Sequence, residues 1–148
     1  MIQQQITNNE MDSILGDCYL HRIRMLSRTI TRVYDDALKP MDLKVTQMNL
    51  LGVVTKLGPM SPGELCQKLQ MDKSTLSRNV DRLIEYGWLK HIPGENNRSH
   101  QLSITEKGRG IMKKASTYWK QAQAKTKKIL GKKGSEAVMA AGNVLWKD

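Results

Sequence analysis

Apolar residues recur at close to a 3.6-residue period along the first part of the chain, at Ile14, Leu15, Cys18, Ile23, Met25, Leu26, Ile30, Val33, Tyr34, Ala37 and Leu38. Arg22, Arg24, Arg28, Arg32 and Asp35 fall on the other face. The pattern predicts one long helix over 11–38, capped by Asp12 or Ser13 and ended by Pro40. Part of the apolar face of such a helix would lack cover in a small monomer, which points to packing against a second chain.

A second helix is expected over 46–56, with Thr46 as cap and Leu50, Leu51, Val53, Val54 and Leu57 toward the core. Gly58-Pro59 stops it. Ser61, Pro62 and Glu64 then spell a capping box with proline at the first helical position, opening a short helix over 62–69. A brief turn over 70–72 leads to a helix over 73–86 with Leu76, Val80, Leu83 and Ile84 inward and Gly87 as its stop. Residues 88–92 and 100–104 alternate in character and are joined by a polar stretch with Gly94, a hairpin with a long tip. Thr105 caps a further helix that reaches Leu130, Gly131 or Gly134 breaks it, and 135–146 forms a last apolar helix.

Short helix, tight turn, second helix and hairpin make a winged helix-turn-helix. The fold class is therefore mainly α with a small β-hairpin wing. The chain reads as a single domain, 1–148, with a DNA-binding lobe at 44–109 and a helical dimerisation region at 11–40 and 110–148. The major groove of B-DNA admits one α-helix, and residues in the N-terminal half of that helix reach base edges. Here Leu76 and Val80 face the core, leaving Lys73, Ser74, Thr75, Ser77, Arg78 and Asn79 for DNA. Arg78 suits guanine or a phosphate, and Asn79 suits adenine. At the hairpin tip Arg98 suits a narrow minor groove or, alternatively, an ion pair with Glu95 or Asp81.

Charge sharpens this picture. The chain has 148 residues with 24 Lys+Arg against 14 Asp+Glu, a net +10, which favours a polyanionic partner, nucleic acid first and an anionic membrane surface second. Between Lys107 and Lys133 there are ten basic residues and no acidic one. Lys107 and Arg109, nearest the wing, are the expected phosphate contacts. No apolar run is long enough to span a bilayer, and the first ten residues lack the pattern of a signal peptide. A cytoplasmic protein with no membrane partner is expected. Two distant cysteines, Cys18 and Cys66, form neither a disulfide framework nor a zinc knuckle. His21, His91 and His100 have no metal spacing, and no acid/base pair, phosphate loop or nucleophile triad is present. Neither an enzyme nor a cofactor is expected.

The stretches Met71-Asp72-Lys73-Ser74-Thr75-Leu76-Ser77-Arg78, Leu83-Ile84-Glu85-Tyr86-Gly87-Trp88-Leu89 and Leu102-Ser103-Ile104-Thr105-Glu106-Lys107-Gly108-Arg109 resemble the MarR family. The resemblance covers roughly residues 15–130. It implies a triangular homodimer joined by the first and last helices, repression from near-palindromic operators, and release by a small ligand or by oxidation. One departure concerns the wing, where the family usually carries Asp-x-Arg and this chain has Asn96 and Arg98. The placement of Cys18 beside Tyr19 resembles the peroxide-reactive cysteine of one-cysteine organic hydroperoxide regulators, with Arg22 to lower the thiol pKa and Tyr19 or Tyr34 to bond the sulfur. Cys18 also lies on the apolar stripe, where a cysteine serves as a small hydrophobe. The rival sensor is a pocket for an aromatic or anionic effector, lined by Met25, Arg28, Met48 and Leu51. A nonspecific architectural DNA-binding protein without a sensor is the competing reading.

Overall fold

The computed structural model describes residues 6–96 and 99–146. Its contacts separate a unit ending at Arg32 from a larger one beginning at Val33.

In the first unit, the single helix expected over 11–38 is two helices, α1 (Asn8–Gly16) and α2 (Tyr19–Leu38), the second running on into the larger unit. The cap of α1 is Thr7 rather than Asp12 or Ser13. Its Oγ1 accepts from the Glu10 N–H at 3.2 Å, and the Glu10 carboxylate accepts from the Thr7 N–H at 2.8 Å. The helix ends at Gly16, a poor helix former, and Cys18 then heads α2. The Cys18 carbonyl accepts from the Arg22 N–H at 3.2 Å and its Sγ accepts from the His21 N–H at 3.5 Å. Apolar residues keep their period across this break, so periodicity alone does not reveal it.

The larger unit is the core. A single 3-10 turn holding Pro40 follows α2, and α3 (Val45–Leu57) starts one residue before the expected Thr46 cap. Its first turn is satisfied partly from elsewhere and partly by its own Gln47. Asp35 Oδ1 accepts from the Val45 N–H at 2.8 Å, and Gln47 Oε1 accepts from the Lys44 N–H at 3.0 Å. Met48, Leu50, Leu51, Val53 and Val54 are all buried, so α3 is apolar on several sides and forms the central strut. It packs against α4 (Pro62–Leu69), α5 (Lys73–Glu85) and the hairpin strand β2. The strands β1 (Leu89–Pro93) and β2 (His100–Ile104) pair antiparallel with Leu89 opposite Ile104 and His91 opposite Leu102. Met60 adds a bridge on the other side of β2, exchanging both backbone hydrogen bonds with Leu102 at 3.2 and 2.8 Å.

The expected stops are present. Gly87, at φ 72°, closes α5 with bonds from its own N–H to Ile84 O and from the Trp88 N–H to Leu83 O. The Thr105 hydroxyl accepts from the Gly108 N–H at 3.0 Å and donates to Gly87 O at 2.7 Å, which ties the start of α6 (Glu106–Leu145) to the end of α5. At Gly131 the backbone is non-helical, φ 66° and ψ 177°, so α6 consists of two helical pieces. The final piece begins directly after Gly131 rather than at Ser135.

Candidate nucleic-acid interface

The turn between α4 and α5 is made by Gln70 in the left-handed region, φ 49°, and by Asp72 as N-cap of α5. The Asp72 carboxylate accepts three hydrogen bonds, from the Thr75 hydroxyl at 2.7 Å, the Thr75 N–H at 2.8 Å and the Ser74 hydroxyl at 2.7 Å. These donors, with the Thr75 hydroxyl foremost, hold the Asp72 carboxyl well below the usual carboxylate range. Composition and periodicity mark Asp72 only as a turn residue. An aspartate directly before a helix that opens Lys-Ser-Thr is nonetheless a capping signal.

Leu76, Val80 and Leu83 anchor α5 in the core. Lys73, Ser74, Ser77 and Arg78 are exposed, while Thr75 and Asn79 are half-buried. Ser74, Ser77 and Arg78 share one face by their spacing. Arg78 makes no hydrogen bond or ion pair among the described residues. The hydroxyl protons of Ser74 and Thr75 are directed at Asp72, so outward they offer lone pairs, which suit an adenine or cytosine amino group better than a phosphate. Asn79 donates from Nδ2 to Thr75 O at 2.9 Å, so its amide is turned along its own helix rather than held out for adenine.

Of the two basic residues beside the wing, Lys107 donates from Nζ to Tyr86 O at 2.8 Å, and Arg109 pairs with Glu106 at 3.7 Å. Both are exposed. The base of the wing loop is closed by the Gly94 N–H donating to Ser99 O at 2.7 Å. Asn96 is exposed, and Arg98 lies outside the described residues. A network that sequence reasoning missed braces the last turn of α5. The Arg82 Nε donates to the Tyr86 hydroxyl at 3.1 Å, and that hydroxyl donates to Asp42 at 3.0 Å.

The sensor candidates divide between the units. In the first, Cys18 is half-buried at the head of α2, Tyr19 is exposed, and the Arg22 guanidinium donates to Gly16 O. Tyr34, in the second, donates from its hydroxyl to Gln123. Met25 and Arg28 are exposed in the first unit, whereas Met48 is buried and Leu51 has no exposed surface in the second. Among the described residues no helix is long and apolar enough to cross a membrane, and no group of three or more His, Cys, Asp or Glu is placed to hold a metal ion.

Asp72→Ala is expected to destabilise α5, read as a lower thermal midpoint at pH 7. Because the carboxyl is held low, its contribution is present at neutral pH and is lost as pH falls below about 4. The gap between wild type and variant should therefore close in acid. A gap that persists at low pH would remove the carboxylate from the account.

A model described as MarR family matches residues 41–98, which contain the helix-turn-helix and β1. The chain is 31% identical over 90 residues to the multiple antibiotic resistance protein MarR of Salmonella typhimurium, covering 60% of this chain and 62% of that protein. It is 29% identical over 87 residues to the uncharacterized HTH-type transcriptional regulator YwoH of Bacillus subtilis, covering 59% of this chain and 64% of that one. The matches thus span less than two thirds of either relative's length. Among solved structures, a mutant of E. coli MarR complexed with operator DNA superposes with a TM-score of 0.78 at 22% identity, over 90% of this chain and 98% of that one. The M. tuberculosis transcriptional regulator MosR in complex with DNA gives 0.74 at 27% identity, over 86% and 93%. The helix-turn-helix, the hairpin that follows it and the fold that carries them are similar to those of the MarR family of winged helix-turn-helix proteins.

Proposed function

We propose that this chain is a sequence-specific double-stranded-DNA-binding transcription regulator. It acts in the cytoplasm as a homodimeric repressor on a near-palindromic operator. The observation that carries this reading is the first half of α5, a rigidly capped helix turn that presents Lys73, Ser74, Ser77 and Arg78 to solvent. A helix of this kind beside a hairpin, in a chain of net charge +10, has the shape and sign to enter the major groove. The relatives named as transcriptional regulators, and the MarR and MosR structures solved with DNA, point the same way.

The dimer is supported by apolar side chains left exposed in both units, Ile14, Leu15, Leu20 and Ile23 in the first and Val138, Met139, Val144 and Leu145 near the end of the second. Two such surfaces per chain suit a self-complementary interface. For the release signal two candidates stand side by side. One is oxidation at Cys18, with Tyr19 and Arg22 beside it in the same unit, and the other is a small aromatic or anionic effector. The structure of BpsR from Bordetella bronchiseptica, whose DNA binding is regulated by 6-hydroxynicotinic acid, lends weight to the second.

The lysine run of α6 favours the alternative of a nonspecific architectural DNA-binding protein. The test is competition binding to the DNA upstream of the protein's own gene against random duplex at one fixed salt. A specificity ratio of roughly 10³ or more is expected of a regulator. A ratio near one selects the architectural reading.

A further inference from the structure

Basic residues of α6 beyond the wing form a surface that the reading of α5 does not use. Lys113, Lys120 and Lys127 recur every seventh residue. Seven residues of α-helix turn through a net offset of only about 20°, so the three share one stripe. The buried side of the same helix is set by Gly108, Ala115 and Ala122, also seven apart, with Thr126. At about 100° per residue, Lys113 stands roughly 160° from Ala115 and the stripe faces away from the packed side. Lys128, about 100° round the helix from Lys127, widens it on one side, while Lys114 and Lys125 lie on the flank beyond. All six lysines are exposed, and none makes an ion pair among the described residues.

We propose that this face binds the phosphate backbone of a second segment of double-stranded DNA, apart from the segment met by α5 and the wing. The proposal rests on the reading of α5 as the operator-contacting helix. The stripe from Lys113 to Lys128 is about 22 Å long, against which a duplex presents roughly 13 phosphate charges. Every cation on it is lysine, a point charge on a flexible stem that meets phosphates without the bidentate geometry used to read bases. An anionic membrane fits less well, because a helix lying on a bilayer needs a continuous open apolar face, and here Ala115, Ala122 and Thr126 opposite the stripe are buried in the fold.

The test uses the full-length protein, the triple variant Lys113→Gln/Lys120→Gln/Lys127→Gln, and random-sequence duplexes of about 15 and about 40 bp, with binding followed between about 50 and 200 mM salt. On the longer duplex the variant is expected to lose up to about 2.7 from the slope of log K against log salt, with affinity correspondingly weaker at low salt. On the shorter duplex it should match wild type. Equal behaviour on both lengths, or an equal drop on both, overturns the proposal, the latter because it means a diffuse shared field. So does a variant that loses binding to phosphatidylserine vesicles while keeping its DNA binding. Arg78→Ala separates the two readings. If it leaves short-duplex binding untouched while the lysine effect on the long duplex remains, the reading of α5 fails and this surface stands.

Discussion

Replacing Gly108 with alanine is expected to cost the fold about 3 kcal/mol, near the upper end for overpacking a closed site. A Cβ at this position would lie 2.3 Å from the Trp88 carbonyl oxygen, 3.1 Å from its carbon and 2.9 Å from Ile104 Cγ1. Two of these three atoms are backbone. The Trp88 carbonyl is itself held, accepting from the Thr105 N–H at 3.0 Å, and the Trp88 ring is buried. Relief therefore requires the start of α6 to move off the hairpin, opening the seam that Thr105 closes. Urea unfolding reads the effect as a lower midpoint at unchanged slope. The control lies two residues on. A Cβ at Gly110 meets nothing within 4 Å, so Gly110→Ala should stabilise α6 by about 0.5–1 kcal/mol. Equal midpoints for Gly108→Ala and wild type would mean that the close approach does not exist in solution.

Arg78→Ala is expected to weaken operator binding by about 1–3 kcal/mol, roughly 5- to 150-fold, with no change in thermal stability. The side chain is exposed and without a partner among the described residues, so its removal takes away little but its contact with DNA. Equilibrium binding to operator and random duplex at one salt separates its two roles. Loss confined to the operator assigns it to a base edge, whereas equal loss on both, with the salt slope reduced by about one, assigns it to a phosphate. No change on either duplex would remove α5 from the groove.

The elements of the helix-turn-helix and the hairpin are legible in the sequence to within about a residue, because their ends are marked by local chemistry. Ser61, Pro62 and Glu64 open α4 through their own side chains and a fixed φ, Gly87 closes α5 by adopting a positive φ, and Thr105 caps α6. Gly131 breaks α6 for the same reason as Gly87. What periodicity misses is either continuous through a break or satisfied from a distance. The apolar stripe runs on across Asp17 and Cys18, hiding the boundary between α1 and α2. The cap of α3 comes from Asp35, ten residues upstream, and the Met60 bridge to Leu102 joins positions that no local pattern links. In the candidate interface, residue types were readable but their commitments were not. Ser74, Thr75, Asn79 and Lys107 all look available in the sequence, and each spends a donor within the fold.

Gly131 has a mechanical consequence. Its backbone, at φ 66° and ψ 177°, lies in a region that a side chain essentially forbids, so one glycine sets the direction of everything after it. The helical piece beyond it, 132–145, acts as a lever arm about 20 Å long. A change of about 10° at this pivot displaces the far end, with Val144 and Leu145, by roughly 3–4 Å. That is most of the spacing between neighbouring side chains. Any adjustment of how this terminal apolar surface meets its counterpart can therefore be made at a single codon, leaving every core residue and the whole of α5 unaltered.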